Sequence, residues 1–451
     1  MENVFTQSLW GDEGFSAILS MKPLPEIIKI ISRDTSPPLW NIWEWLFFRL
    51  FGTEEVIIRS LSLIFFLGAV FFTFKIGQLL WDNRAGFLAA VMTFLNPFFF
   101  TYAFEGRMYS ILALGVTASM YFFLKILNTN GEKLKTGDKV GYVVATLWAM
   151  YSHHFAILAI FLQGLWFLYE FLFGKRKTST ALFKLFIVVG IGYLPWLYPL
   201  YTQTQMVSGG FWLGTPTAKD FWGLLEKYLG AGIVHPWSQI ALYLTLFLAA
   251  FRKWSLNKKD LFLLSWFLVP ITLTWIVSQF FQSIFFDRYL LYTIPGAMIL
   301  MGSRGRKISA VILVVLVFIL INIDVFYFTH PTKRPFRQLA NYVKQTQKEG
   351  DFLINWNAGS HHLWETKYYD IFAPIYIPSG GELPFFVGTA LMENSDIIQE
   401  IPENTSRVGV ITSGSIDDVS LPGYTEIEIQ SYHSASNAEI HFLWLQKDKK
   451  Q

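Results

Sequence analysis

Two carboxylates stand side by side at Asp12 and Glu13, inside Ser8-Leu-Trp-Gly-Asp-Glu-Gly-Phe-Ser. Neighbours in sequence point about 100° apart on a helix, so the pair is not automatically a proton-sharing dyad. One can face a cavity while the other holds the loop. A second group lies in Thr101-Tyr-Ala-Phe-Glu-Gly-Arg-Met-Tyr-Ser, which carries Glu105, Arg107 and Tyr109, and Asp287-Arg288-Tyr289 repeats the arrangement. Charges at membrane depth are costly, and they line a cavity or pair with each other. Arginine suits a phosphate because its planar fork donates two parallel hydrogen bonds. His153 and His154 are adjacent, which is not the metal spacing of one helix face; proton transfer, phosphate contact and interfacial packing are all open. His361, His362 and Glu365 have a spacing that would allow metal ligation from one helix face, but a solvated helix is the simpler expectation. No metal or other cofactor is required by these residues.

The elements that must position these groups are membrane helices. Of the 451 residues, 53% are hydrophobic, 18% aromatic and 15% charged, whereas soluble domains run near a quarter charged. This composition excludes a disordered, fibrous or nucleic-acid-coating protein, and no nucleic-acid partner is expected. The absence of cysteine excludes a disulfide scaffold, thiol catalysis and cysteine-bound metal. A span needs about 20 mostly apolar residues. Candidate spans fall near 56–81, 85–103, 107–127, 139–152, 154–173, 181–201, 237–251, 261–280, 289–302 and 308–328, with 139–152, 237–251 and 289–302 below ideal length. The linkers at 82–84, 125–139, 175–184, 252–260 and 304–307 contain 16 Lys/Arg against 4 Asp/Glu and follow every second span. By the positive-inside rule they are cytoplasmic. The opposite linkers, with Glu105–Arg107, His153–His154 and Asp287–Arg288, are then extracytoplasmic, together with both ends of the chain.

Three regions result. Residues 1–55 form a first extracytoplasmic loop, 56–329 a transmembrane bundle, and 330–451 a soluble extracytoplasmic α/β domain. Ten spans with both ends outside and no span before residue 56 lead to the expectation of one further helix upstream. Trp40, Trp43, Phe47 and Leu50 recur at helical spacing in 38–51, which is too short to cross and fits a helix lying in the interface. The tail holds 10 Lys/Arg against 15 Asp/Glu, the reverse of the body's 26 against 18. A helix is expected at 335–348 and strands at 351–356, 374–377, 407–412, 425–433 and 439–446. A carboxylate pair, two arginines, a histidine pair and an aromatic belt on one side of a membrane suit a reaction on a lipid-borne anionic substrate.

Several segments, in order, resemble the GT-C superfamily of membrane glycosyltransferases, in the bacterial and archaeal branch related to dolichyl-phosphate-mannose protein mannosyltransferases. They are Ser8-Leu-Trp-Gly-Asp-Glu-Gly-Phe-Ser, Thr35-Ser-Pro-Pro-Leu-Trp, Phe51-Gly-Thr-Glu-Glu-Val-Ile-Ile-Arg-Ser-Leu-Ser, Leu95-Asn-Pro-Phe with Glu105-Gly-Arg-Met-Tyr-Ser, and Asp287-Arg-Tyr-Leu-Leu. The strongest cover residues 8–127, and a looser match runs to about 330. The resemblance implies a mainly α, polytopic GT-C-like bundle in the cell membrane and a hexosyl- or pentosyltransferase using a polyprenyl-phosphate-linked sugar. It implies Asp12 as the catalytic carboxylate with Glu13 as its partner, and Arg107 and Arg288 on the donor phosphate. Many relatives have histidine before the double proline where this chain has Ser36, which leaves an imidazole role there without a bearer; Asp34 is near in sequence.

On this reading a carboxylate takes the proton of an acceptor hydroxyl, and the arginines stabilise the leaving lipid phosphate, in a single displacement with inversion. The acceptor can be glycan, lipid or protein. Among the membrane lipids, the interface helix and aromatic belt would hold the polyprenyl tail and headgroup at one depth. Two other classes are a lipid or polysaccharide flippase, which predicts an inverted repeat and charges in mid-span, and an inactive lipid-binding scaffold of the same fold.

Overall fold

A computed structural model describes residues 2–129, 134–174, 176–250, 257–303, 307–356 and 360–448. Parts of the basic linkers 125–139, 175–184, 252–260 and 304–307 lie outside these residues. The chain divides into two compact units, one of residues 35–40 and 59–327, the other of residues 1–34, 41–58 and 328–451.

The first unit is helical. Six helices are long and apolar enough to cross a membrane: Glu55–Leu80, Tyr109–Leu127, Ala156–Phe173, Ser179–Ser208, Lys258–Phe280 and Ala310–Thr329. A seventh span is available if the bent pair Asn83–Phe94 and Pro97–Phe104 counts as one. The three segments that are short in sequence remain short, as helices Thr136–Ser152, Ser238–Ala250 and Ile294–Gly302. Ten full spans are therefore not present among the described residues.

The 61° bend has a local cause. Pro97 has no N–H to continue the preceding helix, and Asn96 caps the next one, its side chain accepting from the Phe99 N–H at 3.0 Å. The Asn96 amide also donates to the Tyr228 carbonyl at 2.8 Å, which fixes the break against a distant segment. Nearby helices approach through small residues. A Cβ on Gly77 would stand 2.7 Å from Gly86 Cα, so the two backbones touch only because both positions lack one. One buried polar cluster is satisfied inside: Tyr142 donates to Gln163 (2.7 Å), whose amide reaches Ser119 (2.9 Å), beside Thr146. Leu67, Phe71, Ile187, Val311, Val314 and Phe318 are exposed, an apolar exterior suited to lipid.

The second unit contains a six-stranded sheet of order β3-β2-β1-β4-β6-β5. Its strands are β1 (Phe352–Trp356), β2 (Ile375–Tyr376), β3 (Ile397–Ile398), β4 (Arg407–Thr412), β5 (Tyr424–His433) and β6 (Glu439–Lys447). The first four are parallel, and β6 and β5 close one edge antiparallel. Helix Phe336–Thr346 buries Phe336, Leu339, Ala340 and Val343 against Leu353, Ile411, Phe442 and Trp444, and Ile354, Val408, Val410, Leu443 and Leu445 form a second cluster. The alternation of β4 and β6 that marks them as strands is what supplies both clusters.

Helix Ser360–Tyr368 departs from the solvated helix expected there. His362, Leu363, Trp364 and Glu365 are all buried. Helix Gly11–Ser20 packs on it: a Cβ on Gly14 would meet the Trp364 backbone at 3.1 Å, and the Phe15 and Trp364 rings meet edge-on at 5.3 Å. Helix Leu39–Phe51 turns polar residues inward. Ser20 Oγ donates to Glu44 at 2.7 Å, and the Asn41 amide donates to Ser20 Oγ at 3.0 Å. Leu50 and Phe51 are exposed on the same helix.

Candidate active site

Five of the expected residues converge in the helical unit. The turn before helix Tyr109–Leu127 is tight: the Glu105 carbonyl accepts from the Arg107 N–H at 2.7 Å and also from buried Ser62 Oγ. Ser110 Oγ donates to the Tyr102 carbonyl at 2.5 Å. These bonds fix where Arg107 leaves the chain. Arg288 sits in the short helix Asp287–Leu290, its guanidinium 4.8 Å from the Phe286 ring and 5.5 Å from the Tyr109 ring. Tyr289 lies 4.8 Å from His153 and 6.3 Å from Tyr109, ring centre to ring centre, with Phe155 at 5.1 Å.

His153 is the hub. Its imidazole is held well below its usual range, first by burial, then by His154 and by the charges of Arg107 and Arg288. Nδ1 of His153 accepts from the Phe155 N–H at 3.1 Å, which leaves the proton on Nε2. His154 points elsewhere, its Nε2 donating to Gln203 Oε1 at 2.7 Å, and burial holds it down to about 4. Gln203 in turn reaches the Ser36 carbonyl at 3.4 Å, so Ser36 is bound through its backbone. Guanidiniums, a neutral imidazole and aromatic rings are groups whose chemistry suits an anion with an apolar attachment.

Asp287 differs from Glu105 in its surroundings. It pairs with Lys227 at 2.8 Å, accepts from the Arg288 N–H at 2.7 Å, and its carbonyl accepts from Tyr228. Burial and the Asp287 charge keep the Tyr228 phenol protonated, well above its usual range. Lys227, Tyr228 and Gln203 were missed as site neighbours. Lys227 has a sequence signal, being among the few basic residues outside the basic linkers; Tyr228 and Gln203 have none.

The acidic pair lies in the other unit, in the first turn of helix Gly11–Ser20. Glu13 is fully buried and accepts from the Trp10 N–H at 3.4 Å, an N-terminal cap. Asp12 is half-buried. The two neighbours therefore have the divided environments that 100° of helix allows. Asp34 is buried at the end of the following helix. The approach to helix Gly11–Ser20 is tied to the tail. Arg337 holds Glu55 at 2.7 Å and the Thr6 carbonyl at 2.8 Å, and its N–H reaches Ser8 Oγ at 3.0 Å. Tyr369 Oη accepts from the Leu9 N–H at 2.9 Å and donates to Glu55 at 2.8 Å. The side chain of His361 lies outside the described residues; His362 bonds Glu365 and Ser413.

Residues 35–198 match the family model for dolichyl-phosphate-mannose-protein mannosyltransferase. No curated protein matches the chain in sequence. Among solved structures, ArnT from Cupriavidus metallidurans in the apo state is similar at 13% identity and a TM-score of 0.63, over 97% of this chain and 94% of that one. The same protein bound to undecaprenyl phosphate gives 14%, 0.62, 98% and 96%. The archaeal oligosaccharyltransferase AglB from Archaeoglobus fulgidus, in complex with an inhibitory peptide and a dolichol-phosphate, gives 11%, 0.51, 91% and 67%. This chain has a GT-C-like fold. Its helical unit carries the long apolar helices of a multi-pass membrane protein. The Asn96-Pro97 break, Ser62 and the Glu105–Arg107 turn all lie inside the matched stretch. Arg288 lies beyond it, and the fold is what relates its position to the rest.

Proposed function

We propose that the protein transfers a sugar from a polyprenyl-phosphate donor to an acceptor hydroxyl at the extracytoplasmic face of the cell membrane, with inversion at the sugar carbon. The observation that carries this is the cluster in which the Arg288 guanidinium lies over the rings of Phe286 and of Tyr109, two residues on from the Arg107 turn, and Tyr289 lies 4.8 Å from buried His153. That ArnT has been solved with undecaprenyl phosphate bound supports the choice of donor. The distribution of Lys and Arg among the linkers supports the sidedness.

Each residue then has a separate task. Arg107 and Arg288 neutralise the phosphate oxygens and stabilise the charge that the departing lipid phosphate gains, without reorganising in the transition state. Tyr109, Tyr289 and Phe155 flank them with apolar surface. Asp12 takes the proton of the acceptor hydroxyl as it attacks, a contribution of about 100- to 10,000-fold. Glu13, held by the Trp10 N–H, fixes the first helical turn and hence the direction of Asp12. The tail, through Arg337 and Tyr369, holds the approach to that turn.

The test uses protein reconstituted in lipid with a panel of polyprenyl-phosphate sugars. Release of polyprenyl phosphate that requires Asp12 supports the reading and identifies the donor. Release that survives Asp12→Asn moves the base to Glu13 or Asp34. Lipid binding with no release from any donor favours a flippase or an inactive scaffold.

A further inference from the structure

The second unit holds a further constellation that sugar transfer does not use. His362 Nδ1 meets Glu365 Oε2 at 2.7 Å, and His362 Nε2 meets Ser413 Oγ at 2.9 Å. The imidazole and the carboxylate are 4% and 2% exposed, whereas the Ser413 hydroxyl stands on an exposed loop. Phe336 packs across the imidazole, ring centres 5.9 Å apart. A buried carboxylate orients the ring, the ring's far nitrogen touches a hydroxyl, and of the three residues only the serine is exposed.

The location is independent evidence. Strand β1 lies between β2 and β4, and all three are parallel. The chain leaves the end of β1 toward β2 on one side, while β4 enters on the other. Strand order therefore reverses between β1 and β4, and in open α/β sheets ligands bind outside the carboxyl ends of the strands at such a point. His362 and Glu365 follow the end of β1, and Ser413 is the first residue after β4.

We propose that Ser413, His362 and Glu365 form a nucleophilic serine site that cleaves carboxylic esters. Ser413 Oγ attacks the ester carbonyl carbon while its proton passes to His362 Nε2. The ester C–O bond breaks, and the departing alkoxide takes that proton. Water then attacks the acyl-serine, giving its proton to His362; the Ser413 oxygen leaves and recovers a proton, and a carboxylic acid is released. Glu365 is a positioning residue that keeps the Nδ1 proton in place and stabilises the imidazolium.

The full chain in detergent is treated with an alkyl fluorophosphonate, which forms a Ser–O–P bond and loses fluoride, and the adduct is located by peptide mass spectrometry. Ser415, two residues on and equally exposed, is the internal control, because its hydroxyl accepts the Asp417 N–H instead. Ser413 is expected to label at least ~100-fold faster than Ser415. His362→Gln should bring it down to the Ser415 rate, and Glu365→Gln should slow it with a changed pH profile. The wild-type protein gives a test free of folding effects: the Ser413 rate should rise with pH and then level. A Ser413 rate equal to that of Ser415, or one that climbs with hydroxide without levelling, overturns the proposal.

Discussion

Replacing Tyr369 with phenylalanine removes a single oxygen from the place where residues 6–9, Glu55 and the tail meet. That oxygen makes two bonds, accepting from the Leu9 N–H at 2.9 Å and donating to Glu55 at 2.8 Å. Leu9 is fully buried, so its N–H loses its partner without gaining water, at about 1–3 kcal/mol. Glu55 keeps Arg337 at 2.7 Å, which limits its own loss to about 1 kcal/mol. The total is about 3 kcal/mol, and it falls on the segment that leads into helix Gly11–Ser20. Amide hydrogen exchange of a peptide covering residues 6–13 should accelerate about 100-fold, since about 1.4 kcal/mol is tenfold. Exchange in β4 and β6, which lie in the sheet, should change far less. The reasoning fails if exchange at 6–13 is unchanged while the variant remains folded.

Three further outcomes follow from the geometry. His154 is neutral when folded, titrating at about 4, against about 6.5 for an unperturbed histidine. Between those values the unfolded chain binds more protons, so the stability present above pH ~6.5 falls as pH drops toward 4, by about 3 kcal/mol; His154→Asn should flatten that part of the unfolding-midpoint profile. Gly77→Ala would place a Cβ 2.7 Å from Gly86 Cα and should cost about 1–3 kcal/mol by thermal unfolding in detergent. Arg107→Gln and Arg288→Gln should each lower turnover of a polyprenyl-phosphate sugar by about 100- to 1,000-fold, measured as release of the lipid phosphate, with the unfolding midpoint close to wild type.

What could be read ahead of the structure was what periodicity and composition encode. The strands of the tail and the helix Phe336–Thr346 follow from their alternation, whereas β3 has two residues and no periodic signal. Apolar length identified the long helices; among the described residues six, or up to seven, are long and apolar enough to cross a membrane, where ten spans were expected. Segments 139–152, 237–251 and 289–302 had apolar character without length, and the structure keeps them short. The helix Ser360–Tyr368 misled for a different reason: polar and apolar residues alternate round it with no apolar stripe, yet it is buried because Gly11–Ser20 packs on one side and its polar groups find Ser413 and Glu365. Of the candidate site, residue types were legible and partnerships were not. Nothing local to Asp287 announces Lys227, 60 residues away, and nothing near Glu55 announces Arg337. Only folding brings His153, Tyr109, Arg288 and Tyr289 together from three separate segments.

The most direct test of the central claim is release of polyprenyl phosphate from its sugar conjugate by the reconstituted protein, wild type against Asp12→Asn. The account predicts release by the wild type and a fall of about 100- to 10,000-fold in the variant, with donor binding retained. Equal release by the two proteins would contradict Asp12 as the base, and no release by either from any donor, with the lipid bound, would contradict sugar transfer itself.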